Sequence, residues 1–362
     1  MRRFLAGIAL CLMLALCTIP AVATGAADAP PPDLSGRLDE IFRARSQWLL
    51  SDGAPPPLAA DYLPGSSRAK WALQHEQGKI KYVKTWAESR GVKFVEAIPS
   101  LYTKYLSGDE GRARFYVGQT LSLGYVYPGE QTVNRFGVGS RHVLELRRHE
   151  EKWVVASEWY SDPLGDDSEV PDVMPSLVPE GLPLPAVSAP EPAAAMRKGG
   201  YDRQGAIAYA DKFCGLAAGC GNGHRYNAKY RNYTGDGGDC SNFLSQILRE
   251  GGRLRIPPGL IRVSNMTGYL QGSGQAWVVA RAPFHKMWKQ AAQKPRGFLD
   301  MVGPGDVVAF QLKGKMEHIA IITGFDSHGY PMVNSHTADR YRAPFDLGWD
   351  RKTVYWFLRM AG

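Results

Sequence analysis

The stretch "GPGDVVAFQLKGKMEHIAIITGFDSHGYPMVNSHTADR", residues 303–340, decides the fold. Apolar and polar residues alternate through at least three short runs, and glycine-containing turns separate them. Period-two runs joined by tight turns predict antiparallel strands. The C-terminal "TVYWFLRM", residues 353–360, predicts a last strand. Upstream the period changes. "YDRQGAIAYADKFCG" (201–215) and "CSNFLSQILRE" (240–250) carry helical spacing, and Gly251-Gly252 stops the second helix. A further helical patch is expected over roughly 284–294. Helices followed by an antiparallel sheet define an α+β domain over 199–362.

Working outward, residues 162–198 lose all periodicity, and proline recurs every few residues. This composition predicts a semi-extended linker. Before it, "LSGRLDEIFRARSQWLLSD" (34–52) and the span Ser66 to Ser89 predict two helices. Four alternating runs follow, beginning at Lys93, Arg112, Asn134 and Lys152. Helices plus a meander predict a small accessory α+β module over 34–161, in a cystatin-like arrangement. Its His142 and His149 are expected at the surface.

The N-terminus carries Arg2 and Arg3, an apolar run to Leu16, and small residues ending in Ala21 and Ala23. That pattern predicts a signal peptide over 1–23 and an exported protein, periplasmic or otherwise in the cell envelope. No transmembrane segment is expected in the mature chain. The whole chain has 362 residues and a formal net charge of +8. Residues 199–362 hold 21 Lys and Arg against 12 Asp and Glu, so the positive charge lies there. A basic exported domain suits an anionic envelope polymer. Nucleic acid is disfavoured as a partner, because no aromatic-basic recognition motif is present.

Removal of residues 1–23 leaves three cysteines, Cys214, Cys220 and Cys240. Cys214 and Cys220 flank a small, flexible loop and are the disulfide candidates. Cys240 then remains free. It follows the glycine-rich "GDGGD" (235–239) at the start of a predicted helix. Unpaired amides at such a position favour a thiolate. A nucleophilic cysteine needs a base, and His318 opens the β-forming "HIAIITG". A hairpin bracketed by Gly324 and Tyr330 would set His336 opposite His318. His336 or Asn334 would then orient the base. This scheme requires no cofactor, and no paired Cys-x-x-Cys or His-x-x-x-His spacing points to a metal.

"GGDCSNFLSQILREGG", "GPGDVVAFQ", "HIAIITG" and "VNSHTADR", in this order, resemble the putative amidase domain family. That family resembles the NlpC-like and CHAP-like cysteine peptidases. The resemblance covers 199–362 and implies a papain-like fold with a cysteine at a helix start and a histidine at a strand start. It implies hydrolysis of amide bonds, typically in peptidoglycan peptides. It assigns catalysis to Cys240 and His318, with His336 as third member, and substrate contacts to Asp239 and Ser241. Two other classes stay open: an inactive binding or inhibitory envelope module, and an enzyme transferring the acyl group to an amine.

Overall fold

The computed structural model describes residues 34–51, 58–164, 200–283, 286 and 301–362. The expected signal peptide, the helical patch at 284–294 apart from residue 286, and all but the first three residues of the linker lie outside the described residues.

The chain opens with α1 (Leu34–Gln47) and α2 (Ser67–Arg90). The Ser66 hydroxyl accepts from the Ala69 amide and caps α2, and Gly91 ends it at φ 63°. Four long strands follow: β1 (Lys93–Gly108), β2 (Arg112–Val126), β3 (Asn134–His149) and β4 (Lys152–Ser161). After residue 200 come α3 (Arg203–Lys212), α4 (Cys240–Gln246), α5 (Val263–Gly272) and β5 (Ala276–Pro283). The last strands are β6 (Val307–Leu312), β7 (Lys315–Phe325), β8 (Pro331–Ser335), β9 (Asp339–Pro344) and β10 (Val354–Met360). The fold is mixed α and β with a mostly antiparallel sheet. α4 is shorter than its periodicity predicts, because Ile247–Gly251 form a π-helical turn. There Gly251 packs directly on Gly205 of α3, an approach that a side chain would block.

The ten strands among the described residues belong to one sheet, ordered β1-β2-β3-β9-β8-β7-β6-β10-β5, with β4 on β3. The join between the N- and C-terminal strands is short: Gly137, Val138 and Gly139 of β3 pair with Tyr341, Arg340 and Asp339 of β9. β4 occupies the rest of the same edge of β3.

Two apolar cores lie on this sheet. One combines Leu38, Phe42, Trp86 and Phe115 of the first half with Phe310, Ala320, Ile322 and Tyr355 of the second. The other lies under α3, α4 and α5 and gathers Cys240, Phe243, Val307, Ile319 and Ile321. Consecutive residues of β7 therefore alternate between the cores, as strand geometry requires. Polar contacts tie α2 to the second half: Trp86 donates to Asp346 (3.1 Å), Arg90 pairs with it (2.5 Å), and the Tyr82 hydroxyl donates to the Trp349 carbonyl (2.8 Å).

His142 is buried rather than at the surface. Its Nδ1 meets Glu158 at 2.7 Å and its Nε2 meets the Ser140 hydroxyl at 2.7 Å. Glu158 also receives both terminal nitrogens of Arg45. The polar ring is satisfied inside the core, which removes the reason to expose it.

Candidate active site

Gly237 and Gly238 have φ of 102° and 120°, a backbone that only glycine adopts without strain. They turn the chain so that Asp239 precedes α4 and Cys240 is its first residue. Cys240 is buried and is the free cysteine among the described residues; Cys214 and Cys220 are joined as a disulfide, Cα atoms 5.5 Å apart. Burial pushes the Cys240 thiol up to about 11, against the pull of backbone N–H groups of Ile319, Ser241 and Cys240 itself, while the Asp239 charge adds to the rise. The resting sulfur is thus a neutral thiol held against the backbone of β7.

Asp239 is buried and fully engaged. Its Oδ1 accepts from the Tyr233 amide (2.9 Å) and from Asn242 (2.8 Å). Its Oδ2 faces His336 Nδ1 at 2.7 Å, and its amide donates to Thr337 Oγ1 at 2.6 Å. Ser241 Oγ is buried with no hydrogen-bond partner among the described residues. An unpartnered buried hydroxyl is uncommon and marks a place where a polar group can be received.

His336 lies between two acceptors, since its Nε2 meets the Phe213 carbonyl at 2.5 Å. Its ring stacks on Phe243, centroids 3.6 Å apart, and meets the Tyr226 edge. The Tyr226 hydroxyl donates to Asp339 (2.5 Å), which also takes Arg141 of β3 (2.6 Å) and the Leu216 amide (3.0 Å). A chain of contacts thereby runs from β3 to the residue beside Cys240.

His318 lies elsewhere. Its ring rests on Phe310 and Trp349, centroids 5.4 and 5.3 Å away, in the core shared with α1 and α2. Burial, then the charges of Arg340 and His336, lower it to about 3. Its Nε2 has no hydrogen-bond partner among the described residues. The sulfur of Cys240 touches the next residue, Ile319, on the other face.

The expected placement of His336 opposite His318 is corrected here. Gly324 pairs with Met332 but Ile322 pairs with Val333, so Thr323 is an extra residue in β7. A one-residue bulge flips every later side chain to the other face. With Ile321 opposite Asn334, the register carries His336 toward Ile319 instead of His318. Asn334 does not orient His318 either. Its amide donates to Asp211 (2.9 Å), and its oxygen accepts from Thr323 (2.9 Å) and from the Arg342 amide (2.6 Å). The structure thus brings together Cys240, Asp239, Ser241 and His336, and leaves His318 across the sheet.

Sequence reasoning missed Thr337, Tyr226, Asp339, Trp349 and Arg141. Thr337 and Asp339 flank Ala338 in the quoted "SHTADR", where an Asp two residues after a Thr was the available signal. Arg141, in a distant strand, carried none.

Residues 200–358 match the putative amidase domain. That match suggests amide hydrolysis. The uncharacterized protein YhbB of Bacillus subtilis (strain 168) is similar over 149 residues at 29% identity, covering 38% of this chain and 42% of the relative. The chain therefore spans about two-fifths of the length of that relative. No solved structure matches, so the papain-like and cystatin-like resemblances have no structural neighbour behind them. Among the described residues, no helix is long and apolar enough to cross a membrane, and no group of three or more His, Cys, Asp or Glu could hold a metal ion.

Proposed function

We propose that residues 200–358 form a cysteine amide hydrolase acting on peptidoglycan peptides in an exported protein. The observation that carries this reading is Cys240: a free cysteine at the first residue of a helix, its sulfur within reach of three backbone N–H groups, inside a matched amidase domain. In the reaction the sulfur loses its proton to an imidazole and attacks the amide carbonyl. The imidazolium then protonates the leaving amine. Water, deprotonated by the same imidazole, releases the acid and restores the thiol. The signal-like N-terminus, the disulfide and the basic charge support export and an anionic substrate.

We assign the imidazole to His318. The motif order supports it, and its Nε2 is a buried nitrogen with no partner, whereas both nitrogens of His336 are engaged. The assignment requires the ring to cross faces. The register irregularity between Phe310 and Gln311 leaves Glu317 as a bulge beside His318. Shifting that bulge past His318 carries the ring to the Cys240 side. The second reading, with His336 as base, is favoured by its placement on Cys240's face. Asp239, its carboxylate already engaged, acts here as a positioning residue, and Ser241 Oγ receives the substrate.

The test is digestion of purified peptidoglycan, read by mass spectrometry. Wild type is expected to release peptide fragments that Cys240→Ala does not. Identical digests overturn the substrate. His318→Gln is expected to lose hydrolysis while the chain still unfolds cooperatively, at a lowered melting temperature, because a buried amide replaces a packed ring; retained activity transfers the base to His336. Products formed with an added amine in place of water identify a transferase.

A further inference from the structure

A groove of roughly 600 Å³ lies between the start of α2 and strands β2, β3 and β4, away from Cys240. Trp71 and Trp159 line it, and they are 51% and 57% exposed. Two large indoles left half in water within one concavity are costly without an occupant. Trp71 is also held flat: its ring stacks on Tyr160 at 5.2 Å, and Tyr160 stacks on His75. A platform fixed in advance loses little freedom on binding.

Charge in the groove is uneven. Glu145 is bracketed by Arg112 (2.6 Å) and Arg147 (2.9 Å), and Glu158 is taken by Arg45 (2.7 Å). Arg68 and Arg114 also line the groove and have no ion pair among the described residues. The groove thus offers two spare guanidinium groups beside two flat aromatic faces.

We infer that this groove binds a carboxylate-bearing glycan strand. The saturated face of a pyranose ring packs on an exposed indole. Ring hydroxyls, which both give and take hydrogen bonds, suit the planar pair of Arg112, which donates, and Glu145, which accepts. The spare Arg68 and Arg114 take the carboxylates as charge-assisted pairs. A nucleic acid strand fits less well, because a phosphate on each residue would meet Glu145 and Glu158 with only two uncommitted cations. An acidic peptide has no broad saturated ring for each indole. The groove lies outside the amidase match, so the inference stands apart from the reading of Cys240.

The test is titration calorimetry on the full chain carrying Cys240→Ala. The probes are oligogalacturonate and hyaluronan oligosaccharides, with maltooligosaccharide, polyglutamate and oligo-dT for comparison. At least one acidic oligosaccharide is expected to bind more tightly than every comparison probe. Trp71→Ala and Trp159→Ala should each weaken it about tenfold or more. Arg114→Gln should weaken acidic oligosaccharides severalfold and leave maltooligosaccharide unchanged. Trp277→Ala, removing an exposed indole on β5 outside the groove, should change nothing. The altered tryptophans are half-exposed, so matched melting curves will show that the fold is kept. The inference is overturned if neither acidic oligosaccharide binds, if the groove variants bind like wild type, or if polyglutamate or oligo-dT binds more tightly.

Discussion

His318 keeps an uncharged ring in an apolar pocket, and that has a pH signature. Its ordinary value near 6.5 falls to about 3 in the folded protein, chiefly through burial. Between those values the unfolded chain binds the proton and the folded one does not, so stability falls as pH drops from 6.5 toward 3 and is fully present above 6.5. Each pH unit in that window weighs about 1.4 kcal/mol. His318→Leu is predicted to remove this share. Urea unfolding at pH 7 and pH 4.5 should show the wild type losing more stability than the variant. His75, lowered to about 4 by burial first and Lys79 second, acts with the same sign in both proteins and cancels in the comparison. Parallel losses would show that the ring is not held neutral. For Cys240, a thiol at about 11 predicts iodoacetamide labelling that climbs from pH 7 to pH 10 without a plateau. A plateau near neutrality would mean that a thiolate is already paired. The thiol, the turn glycines and the histidine of β7 were legible as residue types in order. Which face each one occupies was not, because the extra Thr323 in β7 leaves no mark in the alternation that reveals the strand.

At the scale of elements, the loop from Cys214 to Cys220 is clamped against β3. Leu216 lies on Gly139 and Ala218 on Gly137, approaches that any Cβ would block. Gly139→Ala is predicted to destabilise by about 1–3 kcal/mol through overpacking, read as a lowered melting temperature. An unchanged melting temperature would show that the loop can withdraw freely. Arg141 works at the same junction. Arg141→Met leaves Asp339 buried with one strong partner fewer, and the expected loss is about 3 kcal/mol in urea unfolding. Because Asp339 also holds Tyr226 against His336, the variant should label faster at Cys240 as well. Strands and helices in this region were readable from their periods. The glycines of β3 read only as ordinary strand interruptions, since their reason is a loop some eighty residues later.

At the scale of the whole molecule, the first half covers a face of the second. Phe310, Ile322 and Tyr355 lie in one core with Phe42 and Trp86. Residues 200–362 made alone are predicted to expose that face, to bind the dye ANS strongly and to aggregate. A soluble, dye-silent fragment would refute the shared core. Nothing local marks β3 and β9 as neighbours. Each reads as a plain strand, and only the assembled sheet pairs Gly137, Val138 and Gly139 with Tyr341, Arg340 and Asp339. The proline-rich stretch between them draws the eye to a boundary in sequence, while the pairing is set by buried surface far from it.

That three-residue join has a consequence for chain connectivity. The peptide between residues 164 and 200 raises the effective concentration of one half for the other, but the attachment itself is made by strand pairing and a common interior. A break in that peptide should therefore leave a noncovalent heterodimer. Two separately encoded pieces, produced in the same cell, should co-purify and recover Cys240 labelling like that of the unbroken chain.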